Sequence, residues 1–104
     1  MGTRTRTARD LVSELREAMV QAGPACTMAD AELFTGPDVF EPERAGVRRY
    51  RENAAKRVCR SCPARPECLA YALALRPGEG VWAGLTSDEV RALSLVPADT
   101  REVA

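Results

Sequence analysis

The sequence predicts a small all-α domain of four to five helices, and three observations carry that expectation. Apolar residues recur at helical spacing in several separate segments. No segment alternates apolar and polar residues as a half-buried strand does, and no internal repeat or low-complexity tract is present. Proline and glycine pairs punctuate the chain at intervals that suit short helices. At 104 residues there is room for one domain, and a chain of that size buries too little surface for a generous core.

The first helix is expected from about Thr5 to Ala22. Ala8, Leu11, Val12, Leu15, Ala18 and Met19 follow the i, i+3, i+4 pattern, while Arg9, Asp10, Glu14, Arg16 and Glu17 stand off that stripe. Gly23-Pro24 stops it. Residues 1–24 therefore read as an amphipathic N-terminal extension, packing on its own domain. Cys26 to Pro42 reads as mostly irregular, with Asp30 placed to cap a short turn through Ala31, Glu32, Leu33 and Phe34.

A second helix is expected over Glu43–Val58, with Val47, Tyr50, Ala54 and Val58 as a narrow apolar stripe on an arginine-rich rod. A third starts near Pro66, a residue suited to a first helical turn, and runs through Cys68 and Tyr71 to Leu75. Arg76-Pro77-Gly78 ends it, and Gly80-Val81-Trp82-Ala83-Gly84 follows as a tight turn framed by glycines. Thr86 and Glu89 stand in capping-box relation at the start of the last helix, which should end before Pro97. The main domain is thus placed at 25–96, with 97–104 as a frayed tail.

Composition narrows the class. Met1–Asp10 is charged and lacks an apolar leader, and no apolar run reaches the length of a membrane span. A cytoplasmic protein with no membrane partner is the expectation, and in that reducing compartment clustered cysteines bind metal or do redox chemistry more often than they form permanent disulfides. Fifteen basic residues balance fifteen acidic ones, but unevenly. Arg44, Arg48, Arg49, Arg51, Lys56, Arg57, Arg60 and Arg65 crowd the middle, opposed only by Glu43 and Glu52. That helix reads as a solvated face, because its cations spread around the rod rather than lining one row.

Only five aromatic residues are present, Phe34, Phe40, Tyr50, Tyr71 and Trp82, so a small domain of this kind calls for a staple. Cys59-x2-Cys62-x5-Cys68, with Cys26 far upstream, supplies one. Thiolates two residues apart can converge on one centre, and Pro63 and Pro66 stiffen the link to Cys68. By count, four thiolates suit structural zinc and an iron–sulfur cluster equally. The chain has no histidine and one Cys-x-x-Cys knuckle where four-cysteine zinc sites usually have two. The arginines just before Cys59 can also offset the negative charge of a thiolate-bound cluster. These features favour iron–sulfur, with a zinc-stabilised interaction module as the alternative. A disulfide reductase built on Cys59 and Cys62 is a further alternative, but such sites belong at helix starts in α/β folds, and no enzyme activity is expected.

From Ala25 to Leu95 the chain resembles the WhiB-like (Wbl) family, iron–sulfur regulators of actinobacteria and their phages. The likeness rests on Cys26 followed by Asp30-Ala31-Glu32-Leu33-Phe34, on Cys59, Cys62-Pro63 and Cys68, and on Gly80-Val81-Trp82-Ala83-Gly84 leading into Thr86-Ser87-Asp88-Glu89. It implies that Cys26, Cys59, Cys62 and Cys68 ligate one [4Fe–4S] cluster per monomer, sensitive to oxygen and nitric oxide. It also implies docking on region 4 of the primary sigma factor of RNA polymerase, with promoter DNA a further partner within that complex. Phe34, Trp82, Gly80 and Gly84 would form the docking surface, and some disulfide reductase activity is proposed for cluster-free members.

The chain departs from the family pattern in three places. Ala83 stands where the turn usually has glycine, a strain if its φ is positive. Thr35 replaces the second of two aromatics. The tail after Trp82 has only Arg91 and Arg101 as cations, so little counterion release drives DNA binding there. Weak or absent independent DNA binding is expected, and no nucleic-acid-binding residue is assigned.

Overall fold

Ala8–Gln21 forms the first helix, α1, in a computed structural model that describes residues 7–37 and 41–94. Its start is a reciprocal cap: Thr7 Oγ1 accepts from the Asp10 N–H at 3.1 Å, and the Asp10 carboxylate accepts from the Thr7 N–H at 3.2 Å. At the other end the chain turns at Gly23, whose N–H donates to the Val20 carbonyl. Val12, Leu15 and Met19 face inward, half-buried, while Leu11 and Val20 are exposed. This stripe lies along α4, Arg65–Leu75.

A 3-10 turn at Met28–Asp30 leads into the short helix α2, Ala31–Thr35. Asp30 does not cap α2. Its carboxylate reaches back to accept from both the N–H and the hydroxyl of Thr27, at 3.0 and 3.1 Å. The side chain is spent closing the loop behind Cys26, which leaves none for the helix ahead.

Helix α3 spans Ala45–Arg60, and its buried face differs from the expected stripe. Ala55 is fully buried and Cys59 nearly so, whereas Val47 and Tyr50 are 58% and 74% exposed. At 3.6 residues per turn the Ala55–Cys59 line lies about 100° around the helix from the Val47–Tyr50–Ala54–Val58 line. Close approach to the rest of the molecule selects small residues, so side-chain size misdirected the sequence-based choice of face.

Nor is α3 simply a solvated basic rod. Arg51 forks onto both oxygens of Glu43 at 2.7 and 3.0 Å and donates to the Leu33 carbonyl at 2.9 Å, tying α2 to α3. The Glu43 carboxyl is held below its usual range by that hydrogen bond. Lys56 pairs with Glu89 at 2.7 Å, and Arg48 with Glu52 at 3.2 Å.

Pro66 lies in the first turn of α4, which ends where Arg76 adopts a left-handed conformation, φ 55°. Two very short strands then pair antiparallel: β1, Val81–Trp82, with β2, Leu85–Thr86, in the register Val81↔Thr86 and Trp82↔Leu85. The expected glycine-framed turn is therefore a hairpin, with strands too short to show any alternation. Ala83 and Gly84 form its two-residue turn with φ of 53° and 82°, as the twist of tight hairpins requires. Ala83 thus occupies the strained, positive-φ state.

Helix α5, Ser87–Ser94, starts on the expected box: Glu89 Oε1 accepts from the Thr86 N–H at 2.9 Å, and Thr86 Oγ1 accepts from the Glu89 N–H at 3.2 Å. The expected tail, 97–104, lies outside the described residues. The core is thin, made of Ala55, Cys59, Ala64, Ala72, Val81, Ala83 and Val90, with Leu33 and Phe34 packed against it. The fold is small and mainly helical, as the sequence predicts. No helix among the described residues is long and apolar enough to cross a membrane.

Candidate metal centre

The four cysteines come from four local settings and meet at one cavity. Cys26 sits in the loop after α1, Cys59 in the last turn of α3, Cys62 in the bend that follows, and Cys68 in the first half of α4. The bend is wound tightly: the Cys62 N–H donates to the Cys59 carbonyl at 3.1 Å, the Arg65 N–H to the Cys62 carbonyl at 3.2 Å, and the Cys68 N–H to the Ala64 carbonyl at 2.8 Å. These bonds turn a short sequence spacing into three thiols facing the same space. The cavity holds about 210 Å³, and Met19, Phe34, Val58, Val81 and Trp82 complete its walls.

All four cysteines are free thiols. Among the described residues, no group of three or more Cys, Asp or Glu side chains is disposed to hold a single metal ion. The sulfurs are also supplied with backbone donors. The Ala25 N–H donates to Cys62 Sγ at 3.3 Å, and the hairpin backbone at Gly84 and Ala83 stands close enough to Cys59 and Cys68 to pull those thiols down. Amide donors of this kind stabilise negative charge on sulfur.

Burial works in the opposite direction. It pushes the Cys68 thiol up to about 11, with the neighbouring cysteines adding to the rise and the Ala83 hydrogen bond opposing it. Burial likewise raises Cys59, against the pull of the Gly84 hydrogen bond and the Arg65 charge. Cys26 is raised by burial and by Cys62. These three shifts favour the neutral thiols, and an apolar cavity favours thiolates only when positive charge is supplied between them.

Of the remaining expected site residues, Phe34, Gly80 and Trp82 line the same cavity and Gly84 does not. Trp82 is half-buried, its Nε1–H donates to the Glu79 carbonyl at 2.8 Å, and its ring lies 5.9 Å from that of Tyr71. Phe34 packs on Ala55, Cys59 and Val81. Gly80 fits between them: a β-carbon there would stand 3.0 Å from Trp82 Nε1 and 3.2 Å from the Phe34 carbonyl. Gly84 lies against the Arg65 guanidinium, 3.0 Å from where its β-carbon would be.

Sequence reasoning did not single out Arg65. Its Nε–H donates to the Ala83 carbonyl at 3.1 Å, so it clamps the hairpin while placing a cation at the cavity wall. The available signal was its position three residues after Cys62. Met19, from the N-terminal helix, was also not connected to this site.

A family model described as transcription factor WhiB matches residues 21–93. Among curated proteins, the chain is 54% identical over 65 residues to the transcriptional regulator WhiD of Streptomyces coelicolor, covering 62% of this chain and 55% of that protein. It is 41% identical over 64 residues to the redox-responsive transcriptional regulator WhiB3 of Mycolicibacterium smegmatis, covering 62% of this chain and 64% of that protein. It is 37% identical over 84 residues to the transcriptional regulator WhiB2 of the same organism, covering 81% of this chain and 57% of that protein. The chain therefore spans less than two thirds of the length of these relatives. No solved structure matches it. With the family model covering every element from the end of α1 to α5, the chain belongs to the WhiB family of transcription factors.

Proposed function

We propose that this protein is a transcriptional regulator that carries one [4Fe–4S] cluster on Cys26, Cys59, Cys62 and Cys68, responds to redox change and nitric oxide, and docks on region 4 of the primary sigma factor. The observation that carries the proposal is the set of four free thiols lining one apolar cavity, with a backbone N–H donating to the sulfur of Cys62. Four-cysteine zinc sites usually pair two Cys-x-x-Cys knuckles, and this chain has one and no histidine, which favours the cluster over zinc. Bound there, an iron–sulfur cluster supplies one-electron redox chemistry and a target for oxygen and nitric oxide.

The chain's own contribution is to hold and cover the site. Arg65 offsets anionic charge and fixes the hairpin. Phe34, Val58 and Trp82 exclude water, while Cys26, the exposed member, leaves one side open to small oxidants. Trp82 and Phe34 lie on a shared wall with Gly80, so a partner seated on them would sit directly over the cavity. The regulators WhiD and WhiB3 among its relatives support the role in transcription. The reductase alternative gains no support: Cys59 lies at the C-terminal end of α3, buried, with its thiol raised, whereas attacking thiols are activated at helix N-termini.

The test is anaerobic purification followed by absorption spectroscopy and iron and sulfide analysis. Stoichiometric iron and sulfide, bleaching by nitric oxide and loss of colour in each Cys→Ala variant are expected. A colourless protein with one zinc refutes the cluster. Co-purification with sigma region 4, lost in Trp82→Ala while the cluster spectrum is kept, tests docking separately.

A further inference from the structure

The ion pairs of α3 sort its basic residues into two groups. Arg48, Arg51 and Lys56 are engaged with Glu52, Glu43 and Glu89. Arg49, Arg57 and Arg60 have no ion-pair partner among the described residues. At 3.6 residues per turn, these three and Asn53 fall within about 80° of arc, with Tyr50 at the edge. All five are exposed, the arc contains no acidic residue, and it faces away from Ala55 and Cys59. Arg57 and Arg60 lie in the last turn of α3, where cations complement the helix dipole. That explanation does not reach Arg49, three turns earlier on the same line.

From this row we infer that the outer face of α3 is a phosphate-tracking surface for duplex DNA. Arg49 and Arg60 stand about 16 Å apart along the helix, so the row can run beside successive phosphates of one strand. Arg, Asn and Tyr are side chains that make backbone contacts positioning a protein on DNA without reading its sequence. The row carries positive charge with no aliphatic anchor at its centre, which suits a polyanion better than a protein interface. Its contribution is weak and sequence-independent, since three phosphate contacts release few counterions. It would hold DNA against the chain inside a larger assembly, and it depends on the geometry of α3 rather than on the identity of the metal centre.

The test is fluorescence anisotropy of a labelled duplex of unrelated sequence, titrated with the full chain at several salt concentrations. Three phosphate contacts predict a slope of log affinity against log salt of about −2.7, a loss of about 40-fold between roughly 50 and 200 mM salt. The triple variant Arg49→Gln, Arg57→Gln, Arg60→Gln should bring the slope near zero. Arg49→Gln alone, away from the helix end, should reduce it by about 0.9. A charge-matched triple elsewhere, Arg9→Gln, Arg16→Gln, Arg91→Gln, should keep it, and circular dichroism should show equal helix content throughout. A flat salt response in the parent chain overturns the inference, as does equal loss in the two triples. So does tighter binding of labelled polyglutamate than of the duplex, which would make the row a surface for acidic proteins.

Discussion

Replacing Gly80 with alanine adds one methyl group at the point where the hairpin meets α2, and two further glycines allow its effects to be separated. Gly80 has a φ of 94°, and the new β-carbon would stand 3.0 Å from Trp82 Nε1 and 3.2 Å from the Phe34 carbonyl. The backbone term is about 1–2 kcal/mol for an L-residue at positive φ, reduced by about 0.4–1 kcal/mol because alanine restricts the unfolded chain. The contact term adds about 1–2 kcal/mol, since a backbone carbonyl gives little and moving the indole breaks its hydrogen bond to Glu79. The total is about 2–3 kcal/mol. Gly23 also has positive φ, 79°, but nothing lies within 4 Å of its β-position, so Gly23→Ala should cost only about 1 kcal/mol. Gly78 has neither constraint, and Gly78→Ala should be neutral or slightly stabilising. Urea unfolding without oxygen, followed by circular dichroism and by the fluorescence of the single tryptophan, measures all three. If Gly80→Ala costs no more than Gly23→Ala, the packing of the hairpin on Phe34 is wrong.

Other outcomes follow from single contacts. Thr86→Ala removes the acceptor that caps α5 and should cost about 1 kcal/mol in the same unfolding assay. Val90, 1% exposed, is the largest fully buried side chain among the described residues, and Val90→Ala should cost roughly 2 kcal/mol. In the metal-free chain Cys68 keeps its proton up to about 11, against 9.0 for an ordinary thiol. Over that interval the folded chain binds more protons than the unfolded one, so this contribution is intact below pH 9 and is lost as pH rises through the folded value. Unfolding midpoints measured from pH 8 upward should fall accordingly, and a Cys68→Ala variant should fall less steeply. Arg65→Gln should weaken the hairpin's attachment through the lost bond to the Ala83 carbonyl, seen as a change in Trp82 fluorescence with α1–α4 helicity retained.

Helix positions were legible because their signals are local: the Thr86–Glu89 box, Pro66 at a first turn and the Gly23 stop are short-range chemistry. The choice of buried face on α3 was not legible. Hydrophobicity marks Val47 and Tyr50, but the neighbouring elements bury Ala55 and Cys59 and only half-bury Ala54 and Val58 of the expected stripe, a restriction that is tertiary. Asp30 likewise has a cap-competent side chain, and only the loop geometry shows it serving Thr27. The cysteines were legible from spacing, because a short bend between two helices can do little else with three thiols. Arg65 was not, since nothing in its sequence neighbourhood announces a hydrogen bond to a residue eighteen positions away.

The hairpin makes one peptide stretch common to two surfaces: Ala83 lines the thiol cavity, and the residue just before it is Trp82. Free energy spent on one side is therefore felt on the other, and such influence is reciprocal. Whatever factor an occupant of the thiol cavity adds to a partner's affinity at Trp82, the partner must return to the occupant. If the proposed function holds and that factor is above one, a bound partner would act as a preservative for the cluster, and the two losses would occur together.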